Sequence, residues 1–436
     1  MAVTLSLRTE NDCIVAARDG QSLASTPLAG IPSPALVQAD PLNHGRALYA
    51  ALGGDALRAL LDADDERLLL LDADTTADAI PWEFAALPEH QFLAASYGLV
   101  RLLDQPAPVL GRHEALPLHF VALAADPLVD QQDRPREGYR LKVEDEMRKV
   151  RDALSKGRSA LEAERVAPTK EALDRALQRG PAILHLTCHG DLVNTTHGPQ
   201  AVLLLEDANG KMDMLYGSDL AAMPTRGDLR LVLLSACRTA EGRDSRLARA
   251  LVQSGVPFAI GMQSTFPDDL SDDIAVALYE SILNGKSLAE GLRRMRNALR
   301  DYPTVFGLPV GYAAREGWKP LPLAQGRPTV PFLGLPGDAQ LAGQVQPPRP
   351  LLGRNGELHA LAALYASGHK VVTVTGTGGM GKTALAASFA ERFAWRWPGG
   401  VRAYSFASEV VDAPAFRLAL LRLLRGEEVA RNLADA

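Results

Sequence analysis

Between residues 182 and 299 the chain alternates short apolar runs with helical patterns, and this alternation is the strongest constraint on its fold. The runs 182–187, 229–235 and 257–262 read as buried strands. Between and after them, 246–254, 272–283 and 288–299 carry apolar residues at helical spacing. Gly255 stops the first helix, and Asn284-Gly285 separates the other two. Strands joined through helices run parallel, so the expected class is α/β: a mainly parallel sheet flanked by helices. Upstream, 3–8, 13–18, 67–72 and 117–124 read as further strands and 45–63 as a helix. The stretches 142–156 and 170–178 read as charged, exposed helices. The turn Ala208-Asn209-Gly210-Lys211 joins strands 201–205 and 211–215 in a hairpin.

Composition narrows the class of function. Of 436 residues, 47% are hydrophobic and 22% charged, and the net charge is −6. That is an ordinary globular balance, with room for two to three domains and no basic excess of the kind that marks nucleic-acid binders. No apolar run approaches the ~18 residues of a membrane span. The first ten residues lack the basic-then-apolar pattern of a secretory signal. Three cysteines, Cys13, Cys188 and Cys237, are too few for a disulfide framework. A reducing, cytoplasmic setting is expected, with each thiol free.

Two of the strands end in reactive side chains. Run 182–187 leads into Cys188-His189-Gly190-Asp191, and 229–234 into Ser235-Ala236-Cys237-Arg238-Thr239. In open α/β sheets, sites are built at the C-terminal ends of the strands. An ordinary thiol is mostly protonated at neutral pH, and a nearby imidazole can take up that proton to leave a nucleophilic thiolate. Cys237 is thus the candidate nucleophile and His189 the candidate general acid and base. The backbone N–H groups of Gly190 and Cys237 are candidate oxyanion donors. His185 and Cys188 read as packing residues, and His197 has no supporting pattern. The 48 residues from His189 to Cys237, with Ala-Cys-Arg in register, resemble the histidine–cysteine spacing of caspases.

Longer stretches resemble the CHAT family of caspase-like, separase-related proteases. They are Leu-His-Leu-Thr-Cys-His-Gly at 184–190, Gly-Ser-Asp-Leu at 217–220, and Leu-Arg-Leu-Val-Leu-Leu-Ser-Ala-Cys at 229–237. Further matches lie at 247–257 and 311–317, and upstream at Ile-Pro-Trp-Glu-Phe (80–84) and Tyr-Gly-Leu-Val-Arg (97–101). The resemblance covers about 66–317. It implies a caspase-like fold, a cysteine endopeptidase with the His189/Cys237 pair, a protein substrate and no cofactor for the protease. The segment 261–269 departs from many relatives by lacking a Leu-Trp, so specificity does not carry over. A buried acid in the substrate pocket would select arginine or lysine. Asp191, Asp268 and Asp269 are the acids near the motifs, to be read either as pocket acids or as solvated loop charges.

Beyond residue 319 the chain changes character. Eight prolines between 320 and 350 predict a semi-rigid linker. Gly376-Thr377-Gly378-Gly379-Met380-Gly381-Lys382-Thr383 then fits the phosphate-binding P-loop pattern, with an expected strand at 371–375 and a helix at 383–394. Helix 357–366 precedes it, and 401–406 reads as one more strand. In a P-loop, backbone N–H groups and Lys382 hold the phosphates of ATP or ADP, and Thr383 ligates Mg²⁺. Leu-Leu-Gly-Arg-Asn-Gly-Glu-Leu at 351–358, which includes Arg354, resembles the opening segment of STAND-type NTPases of the NB-ARC and NACHT kinds. The expected organisation is a protease domain over 1–319 (N-terminal half 1–130, catalytic half 131–319), a linker over 320–350, and the first part of an NTPase domain over 351–436. A C-terminal sensor region beyond residue 436 is expected. So are homo-oligomerisation on activation, nucleotide gating of the protease, and a role in bacterial defence or programmed cell death. The alternative is a catalytically silent scaffold that signals through the NTPase segment.

Overall fold

The structure is a computed structural model. It describes residues 2–105, 117–196, 198–223, 229–240, 247–324, 326–329, 333, 336–337, 339–340, 351–403 and 412–425. His197, much of the proline-rich segment and 404–406 of the expected last strand lie outside the described residues. The chain divides into two compact units. One comprises 1–127, 139–207 and 212–334, and the other 128–138, 208–211 and 335–436.

The first unit is built on an eleven-stranded sheet. Its strands are β1 (Val3–Glu10), β2 (Cys13–Arg18), β3 (Gln21–Pro27), β4 (Leu68–Ala73), β5 (Gly98–Leu102), β6 (Leu118–Ala124), β7 (Leu161–Val166) and β8 (Ile183–Thr187). Three further strands, β9 (His189–Thr195), β10 (Gly198–Glu206) and β11 (Met212–Tyr216), form a separate sheet. The large sheet is completed by β12 (Leu231–Ser235), β13 (Phe258–Met262) and β14 (Pro309–Ala313). Its order is β3-β2-β1-β4-β5-β14-β13-β12-β8-β6-β7. Pairing is parallel except for the β1-β2-β3 meander and the β13–β14 contact. Helices supply the parallel crossovers, as the alternation predicts. Strands β8 and β13 are buried along their whole length, which is why they read as continuous apolar runs.

Three details differ from the sequence reading. The helix expected over 45–63 is two helices, Pro41–Ala51 and Gly54–Asp62. The break falls at Gly53, whose φ of 115° is a conformation that side-chain-bearing residues rarely adopt. Neither helix expected to be exposed is simply so: Val143, Glu146, Met147, Val150, Ala153 and Leu154 form a buried stripe along Val143–Ser155, and Ala172, Leu173, Ala176 and Leu177 are buried on Lys170–Leu177. His189 does not merely follow a strand but opens β9, because the chain re-enters extended structure at once and pairs with β10.

The second unit contains the helices Asn355–Ala366, Lys382–Phe393 and Ala413–Arg425, with a two-residue pairing of β15 (Ala339–Gln340) and β16 (Val401–Arg402). Leu358, Ala362, Leu385, Phe389 and Phe393 pack with Leu128 and Val129 into one small core. The strand expected at 371–375 does not form. A strand needs a neighbour for its backbone N–H and C=O groups. Among the described residues none pairs with 371–375, and Val371 is 82% exposed.

Candidate active site

Strands β8 and β12 are parallel neighbours in a register that pairs Ile183 with Leu231 and Thr187 with Ser235, so they end level with each other. The N–H of Cys188 donates to the Ser235 carbonyl (3.3 Å) just past the last pair. Residues 188–190 and 236–238 therefore emerge together at the C-terminal edge of the sheet. Arg238 takes a left-handed φ of 61°, which turns the chain sharply after Cys237. That turn is pinned to the end of β13. Arg238 N–H donates to Ser264 O (3.3 Å), and the Thr239 hydroxyl donates to Ala236 O (3.0 Å) while accepting from Met262 N–H (3.0 Å). Gly190 lies directly on the Cys237 backbone. A Cβ at position 190 would fall 2.1 Å from the Cys237 carbonyl oxygen, so no side chain fits there.

His189 and Cys237 line one cavity, together with Leu141, Glu146, Thr187, Cys188, Ser235, Ala236, Met262, Phe266, Asp268 and Ser271. The Cys237 thiol accepts the Phe266 N–H (3.3 Å) and faces the Phe266 carbonyl (3.8 Å). Burial pushes this thiol above the ordinary cysteine range, and the Phe266 N–H and Arg238 offset that only partly. Cys188 is buried, and desolvation pushes its thiol up to about 12. It is a packing residue, as its position in the motif suggests.

The CHAT domain family model matches residues 42–309, more than half of the chain. The chain belongs to the CHAT domain family. Its fold over that region is that of a caspase- and separase-like cysteine protease. Among solved structures, the chain is similar to the Arg-specific cysteine proteinase gingipain R, RgpB (10% identity, TM-score 0.41, 72% of this chain and 75% of that one). It is also similar to the Porphyromonas gingivalis RgpB pro- and mature-domain complex (10%, 0.42, 68% and 76%). In the Saccharomyces cerevisiae separase–securin complex the likeness covers 56% of this chain but only 15% of that one, at 14% identity and a TM-score of 0.34. No curated protein matches the chain.

Of the three acids singled out in the CHAT sequence, the structure brings only Asp268 into the cavity. Asp191 is exposed, accepting from its neighbour's Leu192 N–H (2.8 Å) and pairing with Arg238 (3.3 Å). Asp269 is exposed and paired with the Lys142 ammonium. Both are surface charges at the rim. The acid that sequence reasoning missed is Glu146, 2% exposed, on the buried stripe of Val143–Ser155. Its signal was present: a carboxylate at an inward helical position among apolar residues needs a reason to be there. Glu146 Oε1 contacts His185 Nε2 (3.0 Å), and Oε2 accepts from the Ser271 hydroxyl (3.2 Å).

The glycine-rich loop lies in the second unit. Gly376, Gly379 and Gly381 have positive φ, and the helix Lys382–Phe393 starts directly after them. The Lys382 ammonium donates to the carbonyls of Gly376 (3.0 Å) and Thr377 (2.8 Å), and Arg354 donates to the Met380 carbonyl (2.9 Å). The glycine-rich turn runs directly into a helix N-terminus without a side-chain cap, and the strand expected before it does not form.

Proposed function

We propose that the CHAT domain is a cysteine endopeptidase with Cys237 as nucleophile and His189 as general acid and base. The observation that carries this is the cavity that both residues line, with the Gly190 backbone pressed against that of Cys237. Cys237 Sγ attacks the scissile carbonyl carbon while its proton passes to His189. The N–H groups of Gly190 and Cys237 hold the resulting oxyanion. The C–N bond breaks, His189 protonates the leaving amine, and water hydrolyses the thioester to release the acid and restore the thiol.

In the same reading the second unit is a STAND-type nucleotide-binding segment that gates the peptidase. Gly376, Thr377, Gly378, Gly379, Met380, Gly381 and Lys382 would hold the phosphates of ATP or ADP. Arg354 would lie beside them, and Thr383 would ligate Mg²⁺. Homo-oligomerisation on activation and a cytoplasmic role in bacterial defence or programmed cell death belong to this proposal by analogy with other gated proteases. A second reading, a catalytically silent scaffold, is favoured by one observation: the thiol is engaged by the Phe266 backbone and raised by burial. New N-termini generated in a denatured proteome by the full chain and by Cys237→Ala, with and without ATP and Mg²⁺, separate the two. Cleavages present only with Cys237 are expected. Identical N-termini from both proteins in every condition would leave the silent scaffold.

A further inference from the structure

A second thiol shares the cavity of the candidate nucleophile. Cys188 lines it together with Cys237, and both are free. The register of β8 and β12 explains the meeting. Thr187 pairs with Ser235, and the Cys188 N–H still donates to the Ser235 carbonyl (3.3 Å), so residue 188 stands beside 236. Neighbouring strands lie about 4.8 Å apart and one residue advances the chain by about 3.3 Å. The α-carbons of Cys188 and Cys237 are therefore about 6 Å apart, within the span of a disulfide. The thiols sense each other, since charge on Cys237 pushes the Cys188 thiol up. Each also meets a backbone N–H, that of Phe266 at Cys237 (3.3 Å) and that of Leu204 at Cys188. They differ in access: Cys188 is 3% exposed, whereas Cys237 is partly open to solvent. The cavity they line, about 40 Å³, has room for a molecule the size of hydrogen peroxide and little more. Cys13, the remaining cysteine, starts β2, six places from β12 in the sheet order and so about 30 Å away.

We infer that Cys188 and Cys237 form a reversible oxidation site, in which hydrogen peroxide oxidises Cys237 and Cys188 resolves it as an intramolecular disulfide. The Cys237 thiolate attacks one peroxide oxygen, the O–O bond breaks, and the released hydroxide leaves as water once protonated. Cys237 is then a sulfenic acid. Cys188 gives up its proton, and its sulfur attacks that of Cys237. The S–O bond breaks, a second water departs and the S–S bond forms. Two thiols and one hydrogen peroxide thus give one disulfide and two waters. Burial slows the second step by holding Cys188 protonated. Placement in one cavity compensates, because the attack is intramolecular. Without Cys188 the sulfenic acid would go on to sulfinic and sulfonic acids, which thiols do not reverse. This chemistry goes beyond the peptidase reading and does not depend on it. Where Cys237 serves as the peptidase nucleophile, the disulfide stores it in a form that a dithiol restores.

Mass spectrometry of the full chain tests this without any substrate. The protein is treated with excess hydrogen peroxide, open thiols are capped with iodoacetamide, and the peptides are analysed without reduction. A Cys188–Cys237 cross-linked peptide should be the main disulfide, and dithiothreitol should return Cys237 to its alkylatable state. In Cys188→Ala that cross-link is impossible, and irreversibly oxidised Cys237 should be about tenfold more abundant than in the parent protein. An unchanged thermal melt checks that the variant keeps its fold, and the cross-link in the parent protein needs no variant at all. Parent Cys237 left unoxidised, or carried to sulfinic acid with no cross-link, overturns the proposal. So does a cross-link to Cys13 in equal yield. Cleavage activity enters neither readout, so the oxidation site and the peptidase reading fail separately: the cross-link decides the first and the proteome N-termini decide the second.

Discussion

At the scale of single residues, the resting thiol sets what Cys237 can do. Burial holds it protonated beyond the ordinary cysteine range, so the thiolate is not preformed. The rate of iodoacetamide alkylation of Cys237 should therefore climb with pH through a midpoint above that of a free cysteine. A midpoint below the free-cysteine value would mean a preformed ion pair. Burial, reinforced by Glu146, raises the Asp268 carboxyl above the usual range, against the Lys142 N–H. Gly190 is constrained by space and not by φ. Gly190→Ala drives a methyl into the Cys237 carbonyl and should cost about 1–3 kcal/mol in denaturant unfolding. The same change should cut peptidase turnover far more than that loss of stability would. Activity close to wild type would show that the oxyanion donors lie elsewhere.

At the scale of elements, a buried charge network ties the N-terminal half of the sheet to the segment that follows β13. Arg101 on β5 binds both oxygens of Glu83 (2.9 and 2.7 Å) and Asp78 Oδ1 (3.0 Å), all nearly inaccessible to water. Gln263, the first residue past β13, reaches Glu83 Oε2 (3.4 Å) and the Gly307 carbonyl (2.5 Å). Burial works against the Glu83 carboxylate, and the charge and bonds of Arg101 overcome it. Removing one partner of such a pair leaves a buried charge uncompensated, so Glu83→Gln should lower stability by about 3–5 kcal/mol in urea unfolding. A loss under about 1 kcal/mol would mean that water reaches the pair. This network sits on the stretches 80–84 and 97–101, which the sequence marks as family-like without saying why. The elements themselves were legible unevenly. Strands β8, β12 and β13 announce themselves because they are buried on both faces. β9 does not, because Gly190, Asp191 and Asn194 give it no apolar alternation. Glu146 was hidden by the charges around it: the helix reads as solvated until its inward stripe is traced.

At the scale of the whole molecule, the α/β class follows from strand periodicity, and the strand ends that carry reactive groups point to the cavity that His189 and Cys237 both line. What did not follow was which helix-borne residues meet there. Glu146 and Asp268 are far apart in the chain and share a cavity only because the helix Val143–Ser155 packs against Ser271–Ile282. The strand expected at 371–375 failed for a related reason, since its pattern was adequate but no described strand lies beside it.

The two reactive side chains stand on different supports. His189 begins a strand of the three-stranded sheet, Cys237 follows a strand of the eleven-stranded one, and Gly190 touches the Cys237 backbone where the two approach. Each support is internally bonded and stiff. If the peptidase proposal holds, bringing His189 to Cys237 is a task for the seam between the two sheets, and a substitution that shifts that seam would cost activity while leaving every strand intact.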